Sequence, residues 1–459
     1  MTMRHVGVID VGKTNAKVVA VDLSAMRETA VRTAPNRVLA GPPYAHFDID
    51  GLWGFIRTAL AEINREFPLD AISITTHGAC AALITEDGSL ALPVLDYESA
   101  DPEASASAYD AIRPGFETSY SPRLPGGLNL GAQLFYQARR YPQAFAQVRW
   151  ILTYPQYWAY RFTGVTASEL TSLGCHTDLW DFRTWGFSSL VKEEGWLDRF
   201  PPLQPADGAL GPMRADLARE LGLASSVPVA CGIHDSNASL VPHFLMRQPP
   251  FSVVSTGTWV IACSPGGDLE RLDPTRDCLA NIDAFGRPVP SARFMGGREF
   301  STLIPSSVET PSSASAADIL ARGVMLLPTI LPGSGPFPNR TANWTQDPES
   351  LSQAERHVVA SFYLALMTSE CLVMTAGEGV IAVEGPFSRN ALYCAMLASA
   401  TGRPVVTTEN ATGTSIGAAM LVAPSQGAAP PVADDEKFLP DPPMARYAAA
   451  WRSALERTA

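Results

Sequence analysis

Near the N-terminus, Gly7-Val-Ile-Asp-Val-Gly12-Lys13-Thr14 satisfies GxxxxGK[ST], the spelling of a P-loop, whose backbone amides wrap phosphates while its lysine reaches the β/γ oxygens. The neighbouring residues contradict that reading. A P-loop strand ends at the first glycine and the next four residues form an open nest, yet here they are Val-Ile-Asp-Val, a strand interior. Strand character returns at Val18-Val-Ala-Val-Asp22, where a P-loop must open a helix. Read as a hairpin, the same residues offer different chemistry. The amides and hydroxyl of Gly12-Lys13-Thr14-Asn15 can take phosphate oxygens, and Asp10 near the strand end can hold a hydrated Mg²⁺.

A second strand-turn-strand lies about 245 positions on, from Phe251 to Ala262 around Ser255-Thr256-Gly257-Thr258-Trp259. Two readings stay open. Either two related domains each lend a small-residue turn to a shared cleft, or a β-rich chain holds two Gly-Thr hairpins by chance.

Several elements must position these turns. Behind Asp50 as N-cap, Leu52, Phe55, Ile56, Ala59, Leu60 and Ile63 follow the spacing of an amphipathic helix over 51–66. Strands are expected at 71–76 and 79–85, and residues 131–200 read as mainly helical, with aromatics around Tyr157-Trp158 and Trp180. After residue 300, 306–317 and 331–338 read as loops. A long helix is expected at about 352–376, then a strand at 380–383, a helix at 391–401, and a strand-helix pair at 404–408 and 414–420. A Pro/Ala/Asp-rich stretch at 424–443 precedes a short terminal helix. Strands, hairpins and helices in no strict βαβ order predict a mixed sheet with helices on it.

The chain has 459 residues, enough for two or three domains at roughly 100–200 each. It is 46% hydrophobic and only 17% charged, which excludes intrinsic disorder. Its net charge of −12 lacks the basic footprint of a nucleic-acid binder, so a small-molecule partner is expected. The seven cysteines form no CxxC and the seven histidines no HExxH, so neither a disulfide framework nor a protein-built zinc site is read. With no signal peptide or membrane span read from the apolar runs, a cytoplasmic protein with no membrane partner is expected. Only four residues are lysine, and Lys13 and Lys17 fall in or beside the first turn, local positive charge suited to a small anion.

Across about 420 residues the chain resembles the FGGY carbohydrate kinases, relatives of actin and the heat-shock ATPases. Asp10-Val-Gly-Lys-Thr14 is similar to their first phosphate loop, Gly232-Ile-His234-Asp235 to their G-x-H/G-D motif, and Ser255 to Trp259 to their second phosphate loop. Glu384-Gly385-Pro386-Phe-Ser388-Arg-Asn390 resembles the adenosine motif, and Glu409 with Gly417-Ala-Ala419 the closing E…GAA element. Gln133 to Tyr136 stands at the family's K-L-x-W, and Tyr157 to Gly164 resembles its D-Y-L-x-Y-R-L-T-G helix.

The resemblance implies an α/β fold of two ribonuclease-H-like, actin-like ATPase domains. Their mixed five-stranded sheets would be flanked by helices, with a cleft between them. The expected boundaries are 1–243 for the N-terminal domain, 244–425 for the nucleotide-binding domain and 426–459 for a tail and short helix. It implies ATP and Mg²⁺ as cofactors and phosphorylation of a small sugar or polyol, a ketopentose or deoxyketohexose, with Asp235 as general base. Asp235 also reads as a helix cap, and the two roles can coexist. Phosphate or nucleotide contacts fall on Gly12, Lys13, Thr14, Asn15, Thr256, Gly257, Thr258, Gly385, Ser388 and Asn390, and the metal on Asp10 through water. Substrate contacts fall on His77, Gly78, Asp96, His234 and Asp235. His77-Gly78 resembles an M-H-G element, or is a structural hydrogen-bonder at a strand end. Asp96-Tyr97-Glu98 departs from the family's W-N-D-x-R, which leaves the sugar open. Pro386 replaces a glycine and removes an N–H donor. Gly296-Gly297 reads as cleft-lining glycines or an ordinary turn, and Trp180 and Tyr157 as core before sugar platforms. A homodimer is one assembly open to test, and a non-catalytic nucleotide- or sugar-binding relative is the alternative to an active kinase.

Overall fold

A computed structural model describes residues 3–304, 311–407, 413–422 and 436–457. Packing divides the chain into two units. The first holds Met1–Met246 with Ala280–Pro288 and Ala411–Pro430, and the second holds Arg247–Leu279, Val289–Asn410 and Pro431–Ala459. Neither unit is continuous along the chain: the helix Thr414–Val422 packs in the first and the terminal helix Pro442–Arg457 in the second.

In the first unit, β1 (His5–Val11), β2 (Asn15–Asp22), β3 (Arg27–Pro35), β4 (Ala71–Thr76), β5 (Ala209–Pro212), β6 (Pro228–Ala230) and β7 (Ile233–His234) form one sheet. Its order is β5-β6-β4-β1-β2-β3, with β7 also on β4. β1 runs antiparallel to β2 and parallel to β4, and β7 is parallel to β4 as well. Val6, Val8, Ile9 and Val11 of β1 are fully buried. The helix Ile49–Glu66 packs its apolar stripe here, capped by Asp48, whose carboxylate accepts from the Gly51 amide at 3.0 Å. The cap is Asp48 and not Asp50, because the helix begins two residues earlier than its apolar spacing suggests.

The second unit repeats the connection. β8 (Ser252–Thr256) pairs antiparallel with β9 (Val260–Cys263) and parallel with β12 (Ile381–Glu384), as β1 does with β2 and β4. With β10 (Cys278–Ile282), β11 (Pro288–Phe294), β13 (Val405–Thr407) and β14 (Lys437–Phe438), the order is β10-β11-β9-β8-β12-β13-β14. Among the described residues each main sheet therefore has seven strands where five were expected. The additions include edge strands as short as Lys437–Phe438, too brief for a period-2 pattern to reveal.

Gln353–Met374, opened by a Ser352/Glu355 capping box, is long and apolar enough to cross a membrane by length and composition. Sequence reading passed over it as a span. Every residue from Val358 to Ser369 is buried within the protein, as in a core helix. Ser313–Arg322 is a helix behind the Ser312 cap, not part of a loop. Trp180 and Tyr157 are each 2% exposed and belong to the cores.

Candidate functional site

The C-terminal ends of β1, β4 and β7 lie side by side because the three strands are parallel neighbours, so Gly12, His77 and Asp235 emerge at one edge. That edge is where ligands bind in open α/β sheets. The first turn is a true hairpin bend, with the Gly12 amide donating to the Asn15 carbonyl at 2.9 Å. Asn36 braces it: its amide donates to Thr14 O and its side chain to Gly12 O, both at 2.9 Å. Gly7, the first glycine of the P-loop spelling, sits within β1 opposite Ala20. A Cβ there would come within 2.8 Å of Leu69 and 2.9 Å of Ile72. Its smallness makes room for the side chains packed on the sheet, and the turn leads into the antiparallel strand β2 where a P-loop opens a helix, which disposes of the P-loop.

Asp10 is half-buried on β1. Its Oδ2 lies 3.8 Å from Lys17 Nζ and accepts from Ser415 Oγ at 3.3 Å. Desolvation outweighs the Lys17 charge and pushes its carboxyl up to about 6, with the Asp235 charge adding to the rise. A carboxylate so poorly compensated fits a cation. Among the described residues no group of three or more His, Cys, Asp or Glu could cage one, so further ligands would be water and phosphate.

Asp235 begins the short helix Asp235–Ala238. Oδ1 accepts from the Ser236 amide at 2.6 Å and Ser236 Oγ at 3.3 Å, and lies 3.3 Å from His234 Nε2. Burial raises its pKa. His234, expected on the sugar, is only 4% exposed and stands behind Asp235, with Nδ1 3.1 Å from Asn237 Nδ2. Gly78 abuts the same ring, since a Cβ there would meet His234 Nε2 at 2.9 Å.

His77 Nδ1 lies 2.9 Å from the Gly78 carbonyl, which can only accept, so Nδ1 carries the proton and Nε2 presents a lone pair. Burial pushes His77 down to about 4, so the ring is neutral at pH 7. Among the described residues its Nε2 is buried without a partner, as are Thr75 Oγ1 beside Asp10 and Asn237 Oδ1 beside His234. Three orphaned polar atoms around one sheet edge mark a place built to receive something polar. Lys13, expected on phosphate, pairs in this structure with Asp96 and with Glu98 at 3.3 Å, its Nζ 5.0 Å from both the Phe47 and Tyr97 ring centroids.

The second unit carries a cavity of about 830 Å³ beside the turn after β8, lined by Gly257, Thr258, Arg298, Phe300, His357, Phe387, Arg389 and Asn390 among others. Its size suits a nucleotide-sized ligand. Phe300 meets Phe387 at 5.6 Å and His357 at 5.5 Å between ring centroids, giving an aromatic wall, and two arginines add positive charge. Gly297, in the first turn of the helix Gly296–Leu303, packs against that bend: a Cβ there would lie 2.0 Å from Gly257 O.

Thr256 does not face the cavity as a donor. Its hydroxyl donates to Glu384 O and accepts from the Phe387 amide at 3.0 Å, tying the ends of β8 and β12 together. Gly385 adopts φ +81°, and a Cβ on it would lie 2.0 Å from Thr256 O, so only glycine fits this joint. Pro386 opens a 3₁₀ turn, a position needing no N–H, so the lost donor costs little. Ser388 Oγ closes onto Gly385 O at 2.8 Å. Asn390 caps the helix Ala391–Thr401 and donates to Ser361 Oγ at 2.9 Å. Ser388 and Asn390 thus shape the wall. Glu409 lies outside the described residues. Asn36, Thr75, Ser415 and Arg298 escaped the sequence reading, although Arg298 directly follows the glycine pair it noted.

Both units have the architecture of the sugar-kinase class, and comparison with known proteins gives the family. Residues 5–242 match "FGGY family of carbohydrate kinases, N-terminal domain", and residues 248–430 match "Carbohydrate kinase FGGY, C-terminal domain". The chain belongs to the FGGY family of carbohydrate kinases. It is 35% identical to a carbohydrate kinase from Novosphingobium aromaticivorans of known structure, with a TM-score of 0.89, covering 98% of this chain and 99% of that one. A xylulose kinase from Rhodospirillum rubrum shares the fold at 19% identity and a TM-score of 0.78, covering 99% and 98%. A protein named L-fuculokinase from Salmonella typhi is 26% identical over 278 residues, just over half of each chain at 57%.

Proposed function

We propose that this protein transfers the γ-phosphoryl group of ATP to a hydroxyl of a small sugar, a ketopentose or deoxyketohexose, with Asp235 as general base. The observation that carries this reading is the Asp235 carboxylate itself. Every hydrogen bond recorded for it among the described residues lands on Oδ1, so Oδ2 is the atom left to accept the sugar hydroxyl proton. A raised pKa strengthens it as an acceptor. His77 Nε2 accepts a second sugar hydroxyl. Gly12 to Asn15 and Gly257-Thr258 hold phosphate oxygens, while the aromatic wall and Arg298 hold the rest of the nucleotide. Asp10 would hold Mg²⁺ through water, the ion neutralising charge on the transferred phosphoryl group. The kinase names of the relatives support the sugar class. The test is a panel of ketoses, aldoses and polyols with ATP. ADP release that depends on one of them supports the reading, and ATP binding without release from any contradicts it.

A further inference from the structure

The short β7 strand that delivers Asp235 is held from both sides by buried side chains that touch no part of the reacting groups. On one side, Gln156 Nε2 donates to Gly232 O at 2.9 Å and Cys231 O at 3.2 Å, its own oxygen accepting from Thr153. Gly232 turns there at φ +92° over Pro155, where a Cβ would meet Pro155 Cβ at 2.9 Å. On the other side, the His234 amide donates to Thr171 Oγ1 at 3.0 Å, and Thr171 Oγ1 donates to Glu169 Oε2 at 2.6 Å. Glu169 is 2% exposed and takes further bonds from the Thr171 amide at 2.7 Å, the Ser172 amide at 3.2 Å and Ser172 Oγ at 3.4 Å.

Capping the four-residue helix Leu170–Leu173 does not by itself require a buried carboxylate, since a serine or asparagine caps as well. Burial pushes the Glu169 carboxyl up to about 7, so above that pH it is a carboxylate whose two oxygens only accept, which a serine hydroxyl cannot match. A hydroxyl has one proton and two lone pairs, and an acceptor-only partner claims the proton. The Thr171 rotor is thereby fixed with a lone pair facing the His234 amide. Without it, the hydroxyl is free to turn its proton towards another acceptor, and the amide loses its partner.

We propose that Glu169 is a positioning residue, which through the Thr171 hydroxyl fixes the His234 backbone and so the direction of the Asp235 carboxylate beside it. This rests on Asp235 acting as the base. A misdirected carboxylate loses rate and leaves sugar and ATP binding intact, because neither Glu169 nor Thr171 contacts them.

The experiment compares the full-length wild type with Thr171→Val, Thr171→Ser and Glu169→Gln, reading steady-state kinetics and hydrogen exchange at the His234 amide. Thr171→Val keeps the shape and loses the bridge. It lowers kcat by about 10- to 100-fold with both KM values within about threefold, and speeds exchange at His234. Thr171→Ser keeps the bridge and restores both readouts. Glu169→Gln keeps the side-chain volume and still lowers kcat at least about fivefold, which covers the case of a poorly folding valine variant. An active wild type whose Thr171→Val variant keeps kcat within about twofold, or whose Thr171→Ser falls equally far, overturns the relay alone. A wild type that releases no ADP with any sugar removes the kinase reading, and His234 exchange still reports whether Thr171 holds the amide.

Discussion

Asp10 shows the tension between stability and function in a single side chain. Its carboxyl is pushed up to about 6 by burial, above the ordinary aspartate value of 3.8. An acid with a raised folded-state pKa contributes stability below its unfolded value and loses it as pH rises through the folded one. Asp10→Asn is therefore expected to raise the melting temperature of the metal-free protein at pH 8 by a few degrees, about 1–3 kcal/mol, with the gain vanishing near pH 4. Thermal unfolding across that range checks it. Gly78 makes a companion case, since an added methyl pushes the His234 ring away from Asp235. Gly78→Ala is expected to lower kcat about tenfold or more at nearly constant stability. Asp10 and Asp235 were legible in the sequence because each stands in a local motif. The Lys13–Asp96 pair, 83 residues apart, could not be read from local spacing, and Glu169 and Thr171 escaped notice since their bond to His234 also spans distant positions.

At the scale of elements, both units use one device: a strand paired antiparallel with its successor and parallel with a later strand, whose adjoining ends carry the turns. The hairpins and most long elements were readable from alternation and helical spacing. Edge strands of two to four residues were not, because so short a run has no period. The joint between Thr256 and Gly385 is the most constrained of these contacts. Gly385→Ala forces a methyl against a carbonyl at a positive φ, and is expected to cost about 2 kcal/mol or more and to weaken ATP binding. Denaturant unfolding and nucleotide titration of the same variant measure both. Pro386, alarming in sequence, is harmless here because it opens a turn whose first residue donates nothing.

For the whole molecule, the acidic net charge of −12 coexists with local positive charge in the nucleotide-sized cavity, supplied by Arg298 and Arg389. The two units are expected to divide the binding. Arg298→Ala weakens ATP binding about tenfold and spares the sugar, whereas His77→Ala raises the sugar KM by a similar factor and spares ATP. Calorimetric titration with each ligand separates the two effects. The second unit also depends on the end of the chain. Trp451 is fully buried with its Nε1 donating to Leu326 O at 2.8 Å, so Trp451→Ala is expected to cost about 3–5 kcal/mol. The central claim is that Asp235 accepts the proton of a sugar hydroxyl, and the most direct measurement is sugar-dependent ADP release by wild type and Asp235→Asn. Release by the wild type, lost in the variant while ATP and sugar still bind, is the expected result. Undiminished release by Asp235→Asn would contradict it.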